Sequence, residues 1–111
     1  MYRQGEILLI PVAEFTDDGE HESVKPANGQ LIVGHSETGH HHVIDVARSP
    51  NATLLINKTN ELIGRLELGE DAVLEHQRGF NTHQPVSLPA GKYQVRWRRE
   101  HTPEGFRRVE D

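Results

Sequence analysis

The sequence predicts one small all-β domain over residues 1–111, folded as a barrel or a sandwich. Short segments rich in β-branched and other apolar residues recur about every ten residues, with turn-forming residues between them. No window shows the 3.6-residue periodicity of an amphipathic helix. A chain of 111 residues, of which 34% are hydrophobic, suits one modest core. Homo-oligomerisation that completes this core is a further expectation.

Seven segments are predicted to be strands from their apolar composition. The clearest is residues 92–99, where Tyr93, Val95 and Trp97 fall on one face and polar residues on the other. This period of two is typical of a half-buried strand. Residues 86–91 are predicted to turn the chain into it. The seven segments are 6–12, 30–33, 42–47, 52–56, 62–68, 72–75 and 92–99.

Glycine and acidic residues mark the interruptions between the strands. Gly64 lies inside the segment 62–68 and indicates a β-bulge or a close approach of another part of the chain. Residues 16–29 are acidic and rich in turn formers, so they are predicted to form a surface loop. Asn28 and Gly29 have the composition of the tight turn that closes such a loop.

Composition also limits the class of protein. The absence of cysteine excludes disulfides and thiolate-type zinc sites. No run approaches the roughly 18 apolar residues of a membrane span, and the first residues lack the pattern of a signal peptide, so a cytoplasmic location is expected. The net charge is −5, and a basic excess is confined to residues 92–111. A general nucleic-acid binder has a basic excess over the whole domain, so nucleic acid is a disfavoured partner.

The segment 34–42 holds the densest group of candidate ligands. The chain has eight histidines, and four of them lie within the eight positions from His35 to His42. Imidazole is the commonest metal-binding side chain near neutral pH. Without thiols, a transition-metal site must use imidazole and carboxylate ligands, which suit zinc, iron, manganese, nickel or copper. The sequence does not distinguish among these metals.

Four histidines are the predicted metal ligands. His40 and His42 are two residues apart at the start of a predicted strand, so they project from the same face. His76 ends another predicted strand, and His83 follows a glycine-containing loop that can fold it toward the first pair. Four ring nitrogens would close a tetrahedral site, whereas three would leave a position for water and for chemistry on a small-molecule substrate.

The residues alone leave open whether this protein is an enzyme. Glu37 and Glu75 are the nearest carboxylates in sequence and are candidates for a general base or an extra ligand. His41 is expected to point away from its two neighbours, and participation of His35 or His41 stays open. In the structural alternative, the histidines are surface residues satisfied by local hydrogen bonds, and the carboxylates are solvated charges.

An alternative function rests on basic residues near the end of the chain. Five arginines with two interleaved aromatic residues could grip a phosphate backbone and stack a base, or contact an acidic protein. The protein would then be a non-enzymatic binding module. In the competing explanation, the arginines lie on the solvated outer face of the strand and Trp97 packs into the core. The residues are Arg96, Arg98, Arg99, Arg107 and Arg108, with Trp97 and Phe106.

Part of the histidine segment resembles the cupin family. Gly34, followed after five residues by His40-His41-His42, matches the first half of the first cupin motif. The second cupin motif is partly present in Pro89-Ala90-Gly91, although Gln94 stands where that motif has histidine. This resemblance implies a cupin-like barrel with metal-binding histidines.

A second resemblance spans nearly the whole chain. Its segments are Gly5-Glu6, Glu37-Thr38-Gly39-His40-His41-His42, Leu74-Glu75-His76, His83-Gln84-Pro85-Val86, Leu88-Pro89-Ala90-Gly91-Lys92-Tyr93-Gln94-Val95, Arg99-Glu100-His101-Thr102-Pro103 and Arg107-Arg108-Val109. A chain with these segments in this order resembles a family of small uncharacterised bacterial and phage proteins. The resemblance implies a shared fold and a histidine site, and it implies no particular activity.

Overall fold

The computed structural model describes residues 1–35, 41–76 and 84–97, and it confirms the all-β fold class. Within these ranges all regular structure is strand, and no helix that could cross a membrane is present. The ten strands of these ranges are β1 (Tyr2–Gln4), β2 (Ile7–Val12), β3 (His21–Ser23), β4 (Gln30–Gly34), β5 (His42–Asp45), β6 (Ala52–Asn57), β7 (Ile63–Leu68), β8 (Ala72–His76), β9 (Val86–Leu88) and β10 (Gly91–Trp97).

The strands form two antiparallel sheets that pack in the manner of a sandwich. One sheet has six strands in the order β1-β2-β10-β7-β6-β3, and the other has four in the order β4-β5-β8-β9. Among the described residues the hydrogen-bonded ladders do not close into a barrel. Side chains from both sheets meet in one core, whose fully buried members are Ile7, Leu9, Leu31, Val33, Ile44, Leu54, Leu66, Leu74, Leu88 and Val95.

Each of the seven predicted strands is present among the described residues, with ends that differ by one or two residues; residues 98 and 99 of the last one lie outside the described residues. In β10, Tyr93, Val95 and Trp97 are buried as the alternation predicts. The strand predicted over 42–47 ends at Asp45, because the Asp45 side chain accepts a hydrogen bond from the Ala47 backbone N–H and the chain turns there. This local bond competes with continuation of the sheet ladder.

Three segments without predicted strands contain short ones, namely β1, β3 and β9. The prediction of a loop over 16–29 was wrong for residues 21–23, since β3 pairs with β6 through Glu22 and Ile56. The prediction of a turn over 86–91 was wrong for its first half, since β9 pairs with β8. All three strands have only three residues. Three residues are too few for a period of two to stand out in the sequence.

The close approach predicted at Gly64 is present, and the alternative of a bulge is not. Gly64 lies opposite Val95 on one side and Ile56 on the other, in unbroken register. A Cβ atom built on Gly64 would meet the Leu55 carbonyl oxygen and the Trp97 ring. The Trp97 indole N–H in turn donates to the Val33 carbonyl oxygen at 2.8 Å, so this contact also joins the two sheets.

The turn predicted at Asn28 and Gly29 is confirmed. Asn28 has a φ of 53° and Gly29 a φ of 76°. Positive φ at both central residues is the signature of the type I′ turn that suits antiparallel strands. Ala27 and Gln30 exchange backbone hydrogen bonds of 2.9 and 3.0 Å around it.

The carboxylate of Asp17 fixes the loop before β3 onto the six-stranded sheet. It accepts hydrogen bonds from His21 at 2.7 Å, from Asn57 at 3.0 Å and from the Arg65 Nε at 2.8 Å. Burial by itself would raise the pKa of Asp17. The hydrogen bonds from His21, Asn57, Arg65 and Gln94 outweigh burial and hold this pKa well below its usual value.

We expect Asp17→Asn to lower the free energy of unfolding by about 2 kcal/mol at neutral pH. A carboxylate with a depressed pKa stabilises the fold above its unfolded pKa of about 3.9, and this contribution is lost as pH falls through the folded pKa. The difference between the unaltered chain and Asp17→Asn should therefore shrink in acid. Urea denaturation at neutral pH and in acid measures both effects.

The neighbouring substitution Asp18→Asn is the matched control, because Asp18 is exposed. It is expected to change the free energy of unfolding by less than about 0.5 kcal/mol. Equal stability of Asp17→Asn and Asp18→Asn at neutral pH would show that the Asp17 contacts do not hold the loop.

Candidate metal centre

Two of the four predicted ligands form a cross-strand pair. His42 of β5 and His76 of β8 lie opposite each other in register. Their rings are stacked, with centroids 4.2 Å apart and planes inclined by 3°. Each lies two residues from a core residue of its strand, Ile44 or Leu74, and so faces the interior. His42 is buried, with 3% of its surface exposed, and the pair therefore sits at the end of the core.

The other two predicted ligands, His40 and His83, lie outside the described residues. So does Glu37, one of the two candidate general bases. His40 is two residues before His42 in sequence, and His83 immediately precedes Gln84. The structure therefore locates two of the four predicted ligands, His42 and His76, while His40 and His83 remain predictions.

Gln4, which no sequence signal marks as a site residue, contacts His42 of the pair from the other sheet. The Gln4 amide nitrogen donates to the carbonyl oxygens of Leu74 at 2.9 Å and Gln84 at 3.0 Å. Its amide oxygen lies 2.8 Å from the Nδ1 atom of His42. Gln4 is 1% exposed, so this side chain is a fully buried polar group whose oxygen and nitrogen both have partners.

The other described histidines of the cluster form a second contact. The rings of His35 and His41 meet edge to face, with centroids 4.5 Å apart and planes at 75°. His35 follows Gly34, which pairs with His42 across the bulge in β4. The Nδ1 atom of His41 is buried and has no hydrogen-bond partner among the described residues. The two histidine pairs thus lie at the same end of the four-stranded sheet.

The second candidate base, Glu75, lies on the opposite face of β8 from His76. It is exposed, as expected for a residue that alternates with buried Leu74. It also lines a groove of about 410 Å³. Glu75 therefore does not share a face with the stacked pair. The groove is lined by Tyr2, Asp45, Arg48, Ser49, Asp71, Ala72, Val73, Glu75, Ser87, Leu88 and Pro89.

Of the arginines in the alternative interface, only Arg96 belongs to the described residues, where it is exposed on β10. Trp97 is 5% exposed and bonded to Val33, so its ring is in the core and does not face solvent to stack a base. The remaining predicted members lie outside the described residues; they are Arg98, Arg99, Arg107, Arg108 and Phe106.

Within the described ranges, no group of three or more histidine, cysteine, aspartate or glutamate side chains is arranged to hold a metal ion. A site of three or four ligands that included the His42–His76 pair would therefore need ligands from residues beyond the described ranges. His40 and His83, which flank the pair in sequence, are the nearest predicted sources.

Comparison with models of protein families matches residues 3–98 to a domain of unknown function, DUF8820. The matched region contains all four predicted histidine ligands and ends before Arg99. Neither the comparison with curated proteins nor that with solved structures found a match. The family match agrees with the expected membership of a family without an assigned activity, whereas a bacterial or phage origin stays an expectation.

Proposed function

The chain belongs to the family of DUF8820, a domain of unknown function, and we propose that it binds one divalent transition-metal ion through a histidine site. The predicted ligands are His42 and His76, completed by His40 and His83. Zinc, iron, manganese, nickel and copper all suit such a set of imidazole ligands.

The observation that carries the proposal is the stacked His42–His76 pair. Its ring centroids are 4.2 Å apart, while two nitrogens that share a tetrahedral zinc ion lie about 3.3 Å apart, given bonds of about 2.05 Å. Because an imidazole lone pair lies in the plane of its ring, both side chains would have to rotate out of the parallel arrangement for their nitrogens to converge on one ion. Since β5 and β8 are paired directly, the backbone holds the two side chains as cross-strand neighbours, which supports a shared ion.

The supporting hydrogen bonds are those expected around a ligating histidine. Metal-binding imidazoles usually direct their second ring nitrogen at an oxygen atom that fixes the ring. Gln4 supplies such an oxygen to His42 at 2.8 Å. Neutral imidazole ligands also leave the full charge of the ion in place, so a bound water would be polarised if one coordination position stayed open.

The described residues favour a stabilising role for the ion over a hydrolytic one. Glu75, the candidate base within these residues, faces away from the pair. A metal that joined β5 and β8 would cross-link the end of the smaller sheet, and its binding energy would add to folding energy. Chemistry on a small substrate would require a base or an open position from residues 36–40 or 77–83.

Competition titration of Zn²⁺ against a chromophoric chelator tests the proposal. His76→Phe keeps a planar ring beside His42 but removes both ring nitrogens. We expect it to weaken Zn²⁺ binding by at least about 100-fold, more than the loss of a mere supporting partner. His21→Gln is the control, because His21 bonds Asp17 away from the pair, and this variant should bind Zn²⁺ as the unaltered chain does.

Two results would contradict the proposal. Equal affinity of His76→Phe and the unaltered chain would show that His76 is not a ligand. Absence of binding by the unaltered chain to any of the five candidate metals would reject the site as a whole.

A further inference from the structure

We infer that Gln4 is the positioning residue of this site. Its amide group selects the Nδ1–H tautomer of His42, which leaves the lone pair on Nε2 as the donor for a metal. The same amide holds the two backbone positions that flank residues 75–83, the segment that contains His76 and His83. The part of this inference that concerns metal affinity rests on the proposed function, whereas the part that concerns the tautomer does not.

Two backbone carbonyl oxygens fix the orientation of the Gln4 amide. Its nitrogen lies 2.9 Å from the Leu74 carbonyl oxygen and 3.0 Å from the Gln84 carbonyl oxygen. Carbonyl oxygens only accept hydrogen bonds, and an amide NH₂ group has two hydrogens to donate. The two carbonyls therefore take both hydrogens and place the amide oxygen toward His42. The reversed orientation would set an amide oxygen against two carbonyl oxygens.

The oriented Gln4 oxygen in turn fixes the tautomer of His42. The Gln4 oxygen is an acceptor and lies 2.8 Å from Nδ1 of His42, so Nδ1 must carry the hydrogen. In a neutral imidazole the other nitrogen, Nε2, then has the lone pair. Burial of both side chains, at 1% and 3% exposure, keeps water from replacing either partner. The ring is thereby held in one tautomer by a buried chain of bonds that begins at two backbone carbonyls.

Gln4 also contacts the backbone on both sides of the segment whose sequence contains His76 and His83. Leu74 lies on β8 two residues before His76, and Gln84 directly follows His83. Both carbonyl oxygens bond the same Gln4 nitrogen, so one side chain fixes the two ends of the segment against each other. Gln4 itself is held by β1, where it pairs with Ile7 of β2. The edge of the six-stranded sheet thus contacts His42 and the backbone at Leu74 and Gln84 through one side chain.

The test combines ¹⁵N NMR of the histidine rings with Zn²⁺ titration. Gln4→Met keeps the length of the side chain and removes the amide. In the unaltered chain, under alkaline conditions that keep a free imidazole neutral, His42 should show a protonated Nδ1 and an unprotonated Nε2. In Gln4→Met this pattern should be lost, and Zn²⁺ affinity should fall by about 10–100-fold.

Gln94→Met is the matched control, because the Gln94 amide also donates to a backbone carbonyl, that of Gly64 at 3.0 Å, on the six-stranded sheet. It should leave the His42 tautomer and the Zn²⁺ affinity unchanged. If Gln4→Met fails to fold, the ¹⁵N spectrum of the unaltered chain decides alone: a protonated Nδ1 on His42 supports the inference, and a protonated Nε2 overturns it.

The outcomes separate this inference from the proposed function. A protonated Nε2 on His42 in the unaltered chain, or a tautomer and affinity unchanged by Gln4→Met, would overturn the inference while leaving metal binding intact. A tautomer that depends on Gln4 in a chain that binds no metal would support the positioning role of Gln4 and reject the proposed function.

Discussion

Gly64→Ala is expected to lower the free energy of unfolding by about 3 kcal/mol. The added Cβ would lie 2.6 Å from the Leu55 carbonyl oxygen and 2.6 Å from Cη2 of the Trp97 ring. The oxygen belongs to the neighbouring strand β6, and the indole is anchored in the core by its bond to Val33. Neither neighbour can move without disturbing a sheet ladder or the contact between the sheets.

Urea denaturation of Gly64→Ala measures this loss, with Gly29→Ala as the control. A Cβ on Gly29 would meet no atom within 4 Å, and its φ of 76° is the only source of strain. The control should therefore lose only about 1 kcal/mol. A loss in Gly64→Ala no larger than that of Gly29→Ala would contradict the close approach of Leu55 and Trp97.

Metal binding is expected to stabilise the whole domain. If free Zn²⁺ is held at about 100 times its dissociation constant, the free energy of unfolding should rise by about 2.7 kcal/mol. For a domain of this size, the melting temperature should then rise by roughly 10 °C. The reason is that the ion would join β5 to β8 only in the folded chain, where His42 and His76 are in register.

Thermal unfolding followed by circular dichroism, with and without Zn²⁺ and then with excess chelator, measures the effect. In the unaltered chain the chelator should reverse the rise. In His76→Phe, Zn²⁺ should raise the melting temperature by less than roughly 2 °C. A similar rise in both proteins would show that Zn²⁺ acts elsewhere on the chain, and no rise in the unaltered chain would exclude a cross-linking ion.

Local sequence signals were sufficient to predict the longer strands. In β10, a period of two places Tyr93, Val95 and Trp97 on the buried face, because side chains of a strand alternate between its faces. Asn28 and Gly29 predicted their turn because few other residues adopt two successive positive φ angles. These features depend on neighbours in sequence, and they were therefore visible without the fold.

The missed strands depend on partners that are distant in sequence. β1 has three residues and ends at Gln4, a polar residue that composition alone would place at the surface. Its burial depends on Gln84, 80 residues away, and on Leu74, 70 residues away. Similarly, β3 lies in an acidic segment and is held by pairing with β6. Neither contact leaves a local pattern.

Only part of the candidate site was predicted, because some of its contacts also join residues that are distant in sequence. The histidine spacing predicted that His42 and His76 belong together, and the register of β5 and β8 brings them into contact. Strand alternation could have placed Glu75 on the other face from His76, since the two are adjacent on β8. Gln4 had no such signal, because glutamine is common at surfaces and only the fold brings it to His42.

The most direct test of the central claim is the metal content of untagged protein purified without chelators, measured by elemental analysis beside a variant with His42→Ala and His76→Phe. A histidine site shared by these two residues predicts about one transition-metal ion per unaltered chain and almost none in the variant. No bound metal in the unaltered chain after growth with zinc, manganese, iron, nickel and copper, or equal content in the two proteins, would contradict it.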